Sequence, residues 1–354
     1  MLRRVHDSDA LNTGAWPTPT TELVTPTDLF FTRSHAPVPS VDLNTWRLEV
    51  GGLVDRPTEF TFETLTRLVP SREVTATLVC AGLRRDEFLA LGELPGELPW
   101  GPEPISTARW SGVPLKSLLA SVGVSSRARH VEFVGLDRPE RHGVSFGFGG
   151  SIDITKAMTD DVLLATHLNG SPLPPEHGFP LRAVVPGWIG ARSVKWLARI
   201  TLLEEASANY FQSKAYRLQR DPDSSDRRDV SAGVPLTAVP VNSVILRPCA
   251  HEVVPLGPFT ITGWAMGSGG QAVKTVEVSR NGGAHWVPAR LTRRGGQWSW
   301  SFWEAELDLL SGTNMLAVRA TDVSGATQPA SVRETWNVKG YNNNAWHRVT
   351  IEAH

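Results

Sequence analysis

The most constraining feature of this chain is a series of short strand patterns at regular spacing in its C-terminal third. They cover 259–265, 273–279, 285–291, 297–303, 314–322 and 332–338. Asn281-Gly282-Gly283 separates the second pattern from the third and predicts a tight hairpin turn. About seven short strands in about a hundred residues are typical of an immunoglobulin-like sandwich. We therefore predict an all-β domain at this end of the chain.

A polar, charged and turn-rich segment at 220–229 precedes this series and predicts a linker. Before it, strand patterns and short helix patterns alternate irregularly. Strands are predicted at 48–50, 74–79, 130–134, 180–186 and 194–203, a helix at 114–119, and a strand or helix at 160–168. The predicted fold class is therefore α+β, with a mixed α/β domain over 1–228 and the immunoglobulin-like domain over 229–354.

Three aromatic residues alternate in the second predicted domain and so share one face of a strand: Trp298, Trp300 and Phe302. Such a row could form a ligand platform. Large aromatic side chains are more often buried in a core or at a subunit interface, and we favour that interpretation.

Charge and hydropathy limit the partners of the 354-residue chain. Its 35 Lys and Arg balance 36 Asp and Glu, so no overall basic field exists for nucleic acid or a membrane, and any anion site must be local. No apolar run reaches membrane-spanning length. No apolar stretch follows Arg3 and Arg4, so the N-terminus does not read as a signal peptide. We expect a cytoplasmic protein, or a periplasmic one if a leader has been removed.

The two cysteines, Cys80 and Cys249, exclude a disulfide scaffold. Cys80 begins the hexapeptide Cys-Ala-Gly-Leu-Arg-Arg, which ends in Arg84 and Arg85. Nearby cations lower the pKa of a thiol and stabilise the thiolate that binds metals or attacks substrates. The alternative is an inert, buried cysteine at the end of a strand, because free cysteines are often buried.

Common catalytic motifs are absent. The sequence has no phosphate-binding P-loop, no C-x-x-C, no nucleophile elbow and no second histidine at zinc-protease spacing after His251-Glu252. Three other segments are rich in anion-binding groups: 30–35, 176–182 and the glycine-containing loop 185–196. Glycines let backbone N–H groups approach an anion, and Ser and Lys add donors and charge. Together with Cys80 they indicate a large anionic cofactor beside a thiolate ligand.

These segments resemble the sulfite oxidase-type molybdenum enzymes, a family that includes the molybdenum domain of assimilatory nitrate reductase. The resemblance runs from Asp28 to Val349. The matching stretches are 33–35, 80–85, 107–115, 169–174, 177–182, 185–197 and 336–349.

The resemblance implies a molybdopterin cofactor with Cys80 as the only protein ligand to molybdenum, for which a soft thiolate is suited. Asp137 would accept hydrogen bonds from pterin N–H groups, and Arg182 and Lys195 would neutralise the phosphate. The family positions that hold the pterin and its phosphate match Phe31, Thr32, Arg33, Ser34, His35, Asp137, His177, Arg182, Ser193, Val194 and Lys195.

The resemblance also implies a pocket for a small anion. The matching positions are Arg33, Arg85, Trp100, Tyr216 and Lys339. Guanidinium groups grip oxyanions through paired hydrogen bonds. Tyr216 would donate a hydrogen bond at the reacting centre and could relay a proton; the alternative is a surface tyrosine beside the linker. The implied reaction is oxidation of sulfite to sulfate by oxygen-atom transfer. No haem domain is recognisable, so electrons would pass to an external acceptor such as a cytochrome.

Three positions depart from the family pattern: Leu83 and Ser34 each replace a common Asn, and Lys339 stands where animal sulfite oxidases have Arg. Lysine is a point charge without a fork, so a different preferred anion is possible. Reduction of nitrate or of S- or N-oxides on the same cofactor is one alternative. A non-catalytic binding protein with a vestigial cofactor site is another. By resemblance, the C-terminal domain would form the interface of a homodimer.

Overall fold

The structure, a computed structural model, describes residues 2–4, 10–15, 22–219 and 233–354. Strands dominate these residues, and the helices are short. The α-helices are Phe62–Thr66, Leu115–Val122, Ile154–Ala157, Tyr210–Ser213 and Val332–Thr335. Short 3-10 helices are Thr27–Leu29, Arg85–Ala90, Pro175–His177, Gly190–Arg192 and Ser268–Gly270. The predicted linker at 220–229 and the predicted boundary at 228/229 lie outside the described residues and stay predictions.

One five-stranded sheet forms the back of the first domain. Its order is Gly149–Asp153, His130–Gly135, Leu197–Leu203, Leu48–Gly52 and Thr58–Phe60. Only the pair Leu197–Leu203 and Leu48–Gly52 is parallel. The helix Leu115–Val122 packs on this sheet because Leu115, Leu118, Leu119 and Val122 fall on one helical face and are all buried in the same cluster.

A second sheet carries the end of the strand that leads to Cys80. Its order is Ser171–Pro172, Leu163–Leu168, Ile105–Pro114 and Arg72–Val79, and Arg182–Val184 also pairs with Leu163–Leu168. All of these pairs are antiparallel. The segment 160–168, open between strand and helix in the sequence, is therefore a strand over Leu163–Leu168.

Two small sheets complete the first domain, and a third pairs the strands on either side of the predicted linker. Leu2–Arg4, Asn12–Ala15 and Thr32–Arg33 form one; Glu140–Arg141 and Val144–Ser145 form a hairpin; Arg217–Leu218 pairs with Val234–Pro235. The first sheet positions Arg33 and the hairpin positions Arg141, so both cations are fixed at strand ends.

The second domain is a β-sandwich. One sheet runs in the order Asn242–Arg247, Gly257–Met266, Ser301–Leu309 and Arg290–Arg293. The other runs in the order Val253–Val254, His347–Ala353, Gly312–Asp322, Val273–Ser279 and Val287–Pro288. Val, Ile and Leu side chains from both sheets form one buried cluster between them.

Parts of the predicted strand series are wrong. The segment 332–338 contains the helix Val332–Thr335, not a strand, because Ser331 and Glu334 form a capping box. The segment 285–291 is split between the short strands Val287–Pro288 and Arg290–Arg293. Three strands of the sandwich were not predicted: Asn242–Arg247, Val253–Val254 and His347–Ala353.

The aromatic row joins the two domains. Trp300 is fully buried, its backbone N–H donates to Thr77 Oγ1 at 3.0 Å, and its indole N–H donates to the Leu23 carbonyl at 2.9 Å. The N–H of Thr77 donates to the Trp298 carbonyl at 2.9 Å. Trp300 and Phe302 are buried, so the interpretation of the row as core is confirmed for these two, and this core lies at the contact between the two domains. Trp298 is only half-buried, and the predicted common strand face is wrong, because residues 297–300 precede the strand that begins at Ser301. No helix in the described parts of the chain is long and apolar enough to cross a membrane.

Candidate active site

Cys80 lies directly after the strand Arg72–Val79, where the chain makes a tight turn. The N–H of Leu83 donates to the Cys80 carbonyl at 3.0 Å, and the N–H of Gly82 points at Sγ, 3.4 Å away. Both Cys80 and Cys249 are free, and only 7% of Cys80 is exposed. The turn therefore presents one preorganised sulfur ligand.

The two arginines after this turn diverge. Arg84 has a left-handed backbone (φ 58°), is fully buried and bonds both carboxylate oxygens of Glu87, at 2.6 and 2.8 Å. Arg85 folds back under the turn instead. A Cβ at Gly82 would lie 2.8 Å from the Arg85 guanidinium carbon, so a larger residue there would require the guanidinium to shift. Of the two guanidinium groups beside Cys80 in the sequence, only that of Arg85 belongs to the site.

A cavity of about 690 Å³ begins at Cys80. Every residue predicted to hold the cofactor lines it: Phe31, Thr32, Arg33, Ser34, His35, Cys80, Asp137, His177, Arg182, Ser193, Val194 and Lys195. These residues come from separate strands and loops, and the fold brings them together. The sequence did not single out several other lining residues, Phe30, Leu78, Ala81, Phe148, Gly190, Ala191 and Trp196, which contribute apolar walls and small loop residues.

Two of the cations that line this first cavity are the buried Arg182 and the half-buried Lys195. Arg182 donates to the carbonyls of His177 and Ser193, and Lys195 donates to Ser34 Oγ and to the Glu176 carbonyl. Within the described residues, neither cation forms an ion pair with a carboxylate. Burial lowers the pKa of Arg182 to about 9, and burial and then the charge of Arg182 lower the pKa of Lys195 well below its usual value. Two neighbouring cations that form no ion pair among the described residues provide a site for an anion such as a phosphate.

Asp137 places a carboxyl group, a hydrogen-bond acceptor, in the same cavity. It is 4% exposed, and its Oδ1 has no hydrogen-bond partner. Burial raises the pKa of this carboxyl to about 6, although Lys195 acts in the opposite direction. An unpartnered buried acceptor is costly unless a ligand donates to it. The pterin ring carries N–H donors, so Asp137 fits that part of the cofactor.

A second cavity, of about 750 Å³, meets the first at Cys80, Arg33, His35 and Tyr216. Four residues predicted for the anion pocket line it: Arg33, Arg85, Tyr216 and Lys339. The fifth, Trp100, does not. Trp100 is fully buried in the cluster that also contains Cys80, and its indole N–H has no partner. The structure therefore places Trp100 behind the pocket.

The hydrogen bonds at the junction of the cavities fix a histidine tautomer. The guanidinium groups of Arg33 and Arg141 each lie 3.2 Å from His35 Nδ1. A guanidinium only donates, so Nδ1 accepts and Nε2 carries the hydrogen. His35 Nε2 therefore donates to Tyr216 Oη, 2.8 Å away. The phenol hydrogen of Tyr216 is left free to point into the cavity.

Burial and neighbouring charges keep the side chains of His35 and Tyr216 neutral. Burial, followed by the charges of Arg33 and Arg141, lowers the pKa of His35 well below its usual value. Burial raises the pKa of Tyr216 to about 12, and Arg33 opposes this shift. Tyr216 is therefore a hydrogen-bond donor at neutral pH and not a phenolate.

Several lining residues of the second cavity were missed by the sequence reasoning: Glu97, Arg141, Lys214 and Tyr341. Arg141 belongs to the charged run 138–142, which was a signal that could have drawn attention to it. Glu97 lies in a segment without helix or strand, and nothing in its sequence neighbourhood distinguishes it. Tyr341 stacks on Tyr216 with ring centres 5.3 Å apart.

The protein groups suit a metal that brings its own ligands. In the described parts of the chain, no group of three or more His, Cys, Asp or Glu side chains could hold a metal ion. A metal at Cys80 would therefore take its other ligands from a non-protein group. One sulfur, one carboxyl with an unpartnered oxygen and two cations, all lining one cavity, fit a molybdenum atom held by a phosphorylated pterin.

Comparison with known families defines the class of protein. The model described as "Oxidoreductase molybdopterin binding domain" matches residues 35–211, and the model described as "Mo-co oxidoreductase dimerisation domain" matches residues 234–354. The first match contains most of the first cavity, and the second contains the β-sandwich. The fold and site are those of a molybdopterin-binding oxidoreductase domain followed by a dimerisation domain.

Individual relatives identify the family within this class of oxidoreductases. Sulfite oxidase from Gallus gallus is 39% identical, with 92% of this chain and 72% of that protein aligned. Inducible nitrate reductase [NADH] 2 from Glycine max is also 39% identical, over 92% of this chain but only 39% of its own length. The crystal structure of the sulfane dehydrogenase SoxCD from Paracoccus pantotrophus superposes with a TM-score of 0.82 at 28% identity, covering 98% of this chain and 86% of that chain. The chain belongs to the sulfite oxidase family of molybdopterin oxidoreductases. It spans less than half the length of the nitrate reductases that it matches.

Proposed function

We propose that this protein oxidises sulfite to sulfate and passes the two electrons to an external acceptor such as a cytochrome. The observation that carries the proposal is the second cavity, where Arg33, Arg85, Lys339 and Tyr216 converge beside Cys80. Positive charge and a neutral phenol donor suit a small oxyanion. The names of the Gallus gallus sulfite oxidase and the Paracoccus pantotrophus sulfane dehydrogenase support a sulfur compound as substrate.

The chain's own residues divide the work between cofactor and substrate. Cys80 would ligate the metal, Asp137 would accept from the pterin, and Arg182 with Lys195 would hold the phosphate. When bound, the molybdenum cofactor supplies two-electron redox chemistry coupled to transfer of an oxygen atom. Arg33 and Arg85 would orient the anion, and the phenol of Tyr216 would donate to an oxygen atom at the reacting centre. His35, held neutral, positions Tyr216 through its Nε2–H.

Nitrate reduction on the same cofactor is the second candidate. The Glycine max nitrate reductase aligns with 92% of this chain. Within the pocket, Lys339 presents a point charge, and that charge is already paired with Glu97 at 3.0 Å. A smaller net positive charge favours a monoanion such as nitrate over a dianion.

We also propose that the protein is a homodimer. The match of residues 234–354 to the dimerisation domain supports this assembly. Sedimentation of the purified protein measures it directly, and a monomer at micromolar concentration would contradict it.

The substrate test uses purified protein with its molybdenum content quantified. Sulfite should reduce an electron-accepting dye at a rate proportional to molybdenum, and reduced dye should not be oxidised by nitrate, dimethyl sulfoxide or trimethylamine N-oxide. Oxidation of reduced dye by nitrate without any sulfite turnover would establish the second candidate instead. Protein that carries molybdenum but turns over none of these substrates would contradict both.

A further inference from the structure

Among the described residues that line the second cavity, Glu97 is the only acidic one. Its carboxylate lies 3.3 Å from Arg85 Nη2 and 3.0 Å from Lys339 Nζ. The cations around it are Arg33, Arg85, Arg141, Lys214 and Lys339. One carboxylate therefore neutralises part of a strongly positive pocket and bridges two of the residues that would bind substrate.

The hydrogen bonds of Arg85 show how closely the carboxylate is held. Nε of Arg85 donates to the Gly340 carbonyl at 3.2 Å, and Nη1 donates to the Leu98 carbonyl at 3.0 Å. Nη2 is the nitrogen that faces Glu97. These three contacts use three of the five N–H donors of Arg85, whose side chain is 4% exposed. A substrate that binds Nη2 of Arg85 therefore lies beside the Glu97 carboxylate or displaces it.

The segment around Glu97 allows such a displacement. Residues 91–104 contain no helix or strand, and Pro95 and Gly96 precede Glu97. Gly96 has a positive φ of 75° and open space around its missing Cβ. Glu97 itself is 15% exposed, so its side chain can reach water when it leaves the two cations.

We propose that Glu97 is a specificity-determining residue, an internal anion that competes with the substrate for Arg85 and Lys339. This inference rests on the proposed function in one respect, that the second cavity binds a small oxyanion. Repulsion between Glu97 and a bound anion grows with the charge of that anion. Glu97 therefore weakens the binding of dianions more than that of monoanions, and it promotes release of a dianionic product such as sulfate.

Calorimetric titration of the molybdenum-loaded protein with sulfate and with nitrate tests the proposal without turnover. Glu97→Gln keeps the shape and removes the charge. We expect the dissociation constant of sulfate to fall about 10-fold or more, equivalent to about 1.4 kcal/mol, and that of nitrate to fall less. Glu97→Asp keeps the charge, so sulfate binding should stay close to that of the unmodified protein. Glu93→Gln, at an exposed position in the same segment and outside both cavities, is the matched control and should change neither constant.

The difference between the effects on sulfate and on nitrate distinguishes competition by Glu97 from a purely structural role of this residue. If Glu97 only braced the segment, Glu97→Gln would weaken both anions or alter them equally, and either result would overturn the proposal. Unchanged sulfate binding in Glu97→Gln would also overturn it. With sulfite as substrate, Glu97→Gln should lower KM with little increase in kcat. Absence of sulfite turnover would overturn the proposed function alone, because tighter sulfate binding in Glu97→Gln would still establish Glu97 as the competing anion.

Discussion

At the scale of single residues, Cys80 is the sulfur around which both cavities meet. Serine has nearly the same shape but is a poor ligand for a soft metal. We expect Cys80→Ser to fold normally and to lose sulfite turnover by about three orders of magnitude or more, as removal of an essential catalytic group does. Metal analysis and dye-reduction rates measure both effects. Cys249→Ser is the matched control, because Cys249 lines neither cavity and should tolerate the change. Turnover retained in Cys80→Ser would refute the ligand assignment.

Asp137 gives a prediction with a definite pH dependence. Its pKa is about 6 in the folded protein, against 3.8 for an ordinary Asp. A raised folded-state pKa means that the folded state binds the proton more tightly, so this contribution to stability is full below pH about 4 and disappears as the pH rises through 6. Cofactor-free Asp137→Asn should therefore be more stable than the unmodified protein at pH 8, by about 1–3 kcal/mol, with no difference near pH 4.

Urea denaturation of the two cofactor-free proteins across this pH range measures the difference. The same variant should bind less molybdopterin than the unmodified protein when both are produced in cofactor-synthesising cells, because the amide offers an N–H where the pterin also presents donors. A stability difference that does not vary with pH would contradict the assignment of the shift to burial of this carboxyl.

At the scale of elements, the sequence predicted the strands whose patterns were strong and failed where local capping decided the structure. The pattern at 273–279 coincides with the strand Val273–Ser279. At 332–338 the β-branched residues suggested a strand. The segment instead begins with a short helix, because the capping box of Ser331 and Glu334 satisfies the N–H groups of its first turn. A residue pattern alone cannot rank these two contributions when each is only about 1 kcal/mol.

Of the candidate site, the cofactor cavity could be predicted from the sequence, but part of the anion pocket could not. The cofactor cavity contains all the residues expected from the resemblance, because each of them lies in a short motif that can be matched by itself, although the fold brings these motifs together from distant parts of the chain. Glu97 and Arg141 reach the anion pocket only through the paths of an irregular segment and a short hairpin. Those paths depend on contacts between distant parts of the chain, such as that of Arg85 with Gly340. No local pattern encodes them.

The turn after Cys80 supports a prediction about an element. Gly82 contacts the Arg85 guanidinium so closely that a methyl group would displace it. We expect Gly82→Ala to raise KM for sulfite about 10-fold, because Arg85 loses its position and a good charge-assisted hydrogen bond contributes about 1.5–3 kcal/mol. Molybdenum content should stay unchanged. Gly312→Ala is the control, since Gly312 also has a positive φ and open space around its missing Cβ but lines neither cavity; the change should affect stability and leave KM unchanged. A normal KM in Gly82→Ala would show that Arg85 does not bind substrate.

At the scale of the whole molecule, the two domains share one buried cluster that reaches the site. Val79, Ala81 and Leu83 from the Cys80 turn pack in the same cluster as Trp264 and Trp300 of the sandwich. Leu83, which replaces a common Asn of the family, is 2% exposed in this cluster. The position of the sulfur ligand therefore depends on the second domain.

Arg84 is the polar counterpart of that cluster. It donates to Asn242 Oδ1 and to the Ala345 carbonyl, both at 2.8 Å, while holding Glu87 on the other side. Asn343 completes the connection by donating to the Arg84 carbonyl at 2.9 Å. One fully buried guanidinium thus links the Cys80 turn to two segments of the C-terminal domain.

Removal of this guanidinium should uncouple the domains. Arg84→Met keeps an apolar stem but removes the guanidinium that donates to Asn242 Oδ1 and that pairs with Glu87, so we expect a loss of about 2–4 kcal/mol in unfolding free energy. Glu87 keeps its hydrogen bond from Asn343, and the Ala345 carbonyl keeps its hydrogen bond from Gln328. Thermal unfolding followed by calorimetry should change from one transition to two, and molybdenum content should fall because the Cys80 turn loses its support. Arg127→Met removes an exposed pair with Glu204 and should leave both measurements unchanged. A single transition with full molybdenum loading in Arg84→Met would show that the apolar cluster alone couples the domains.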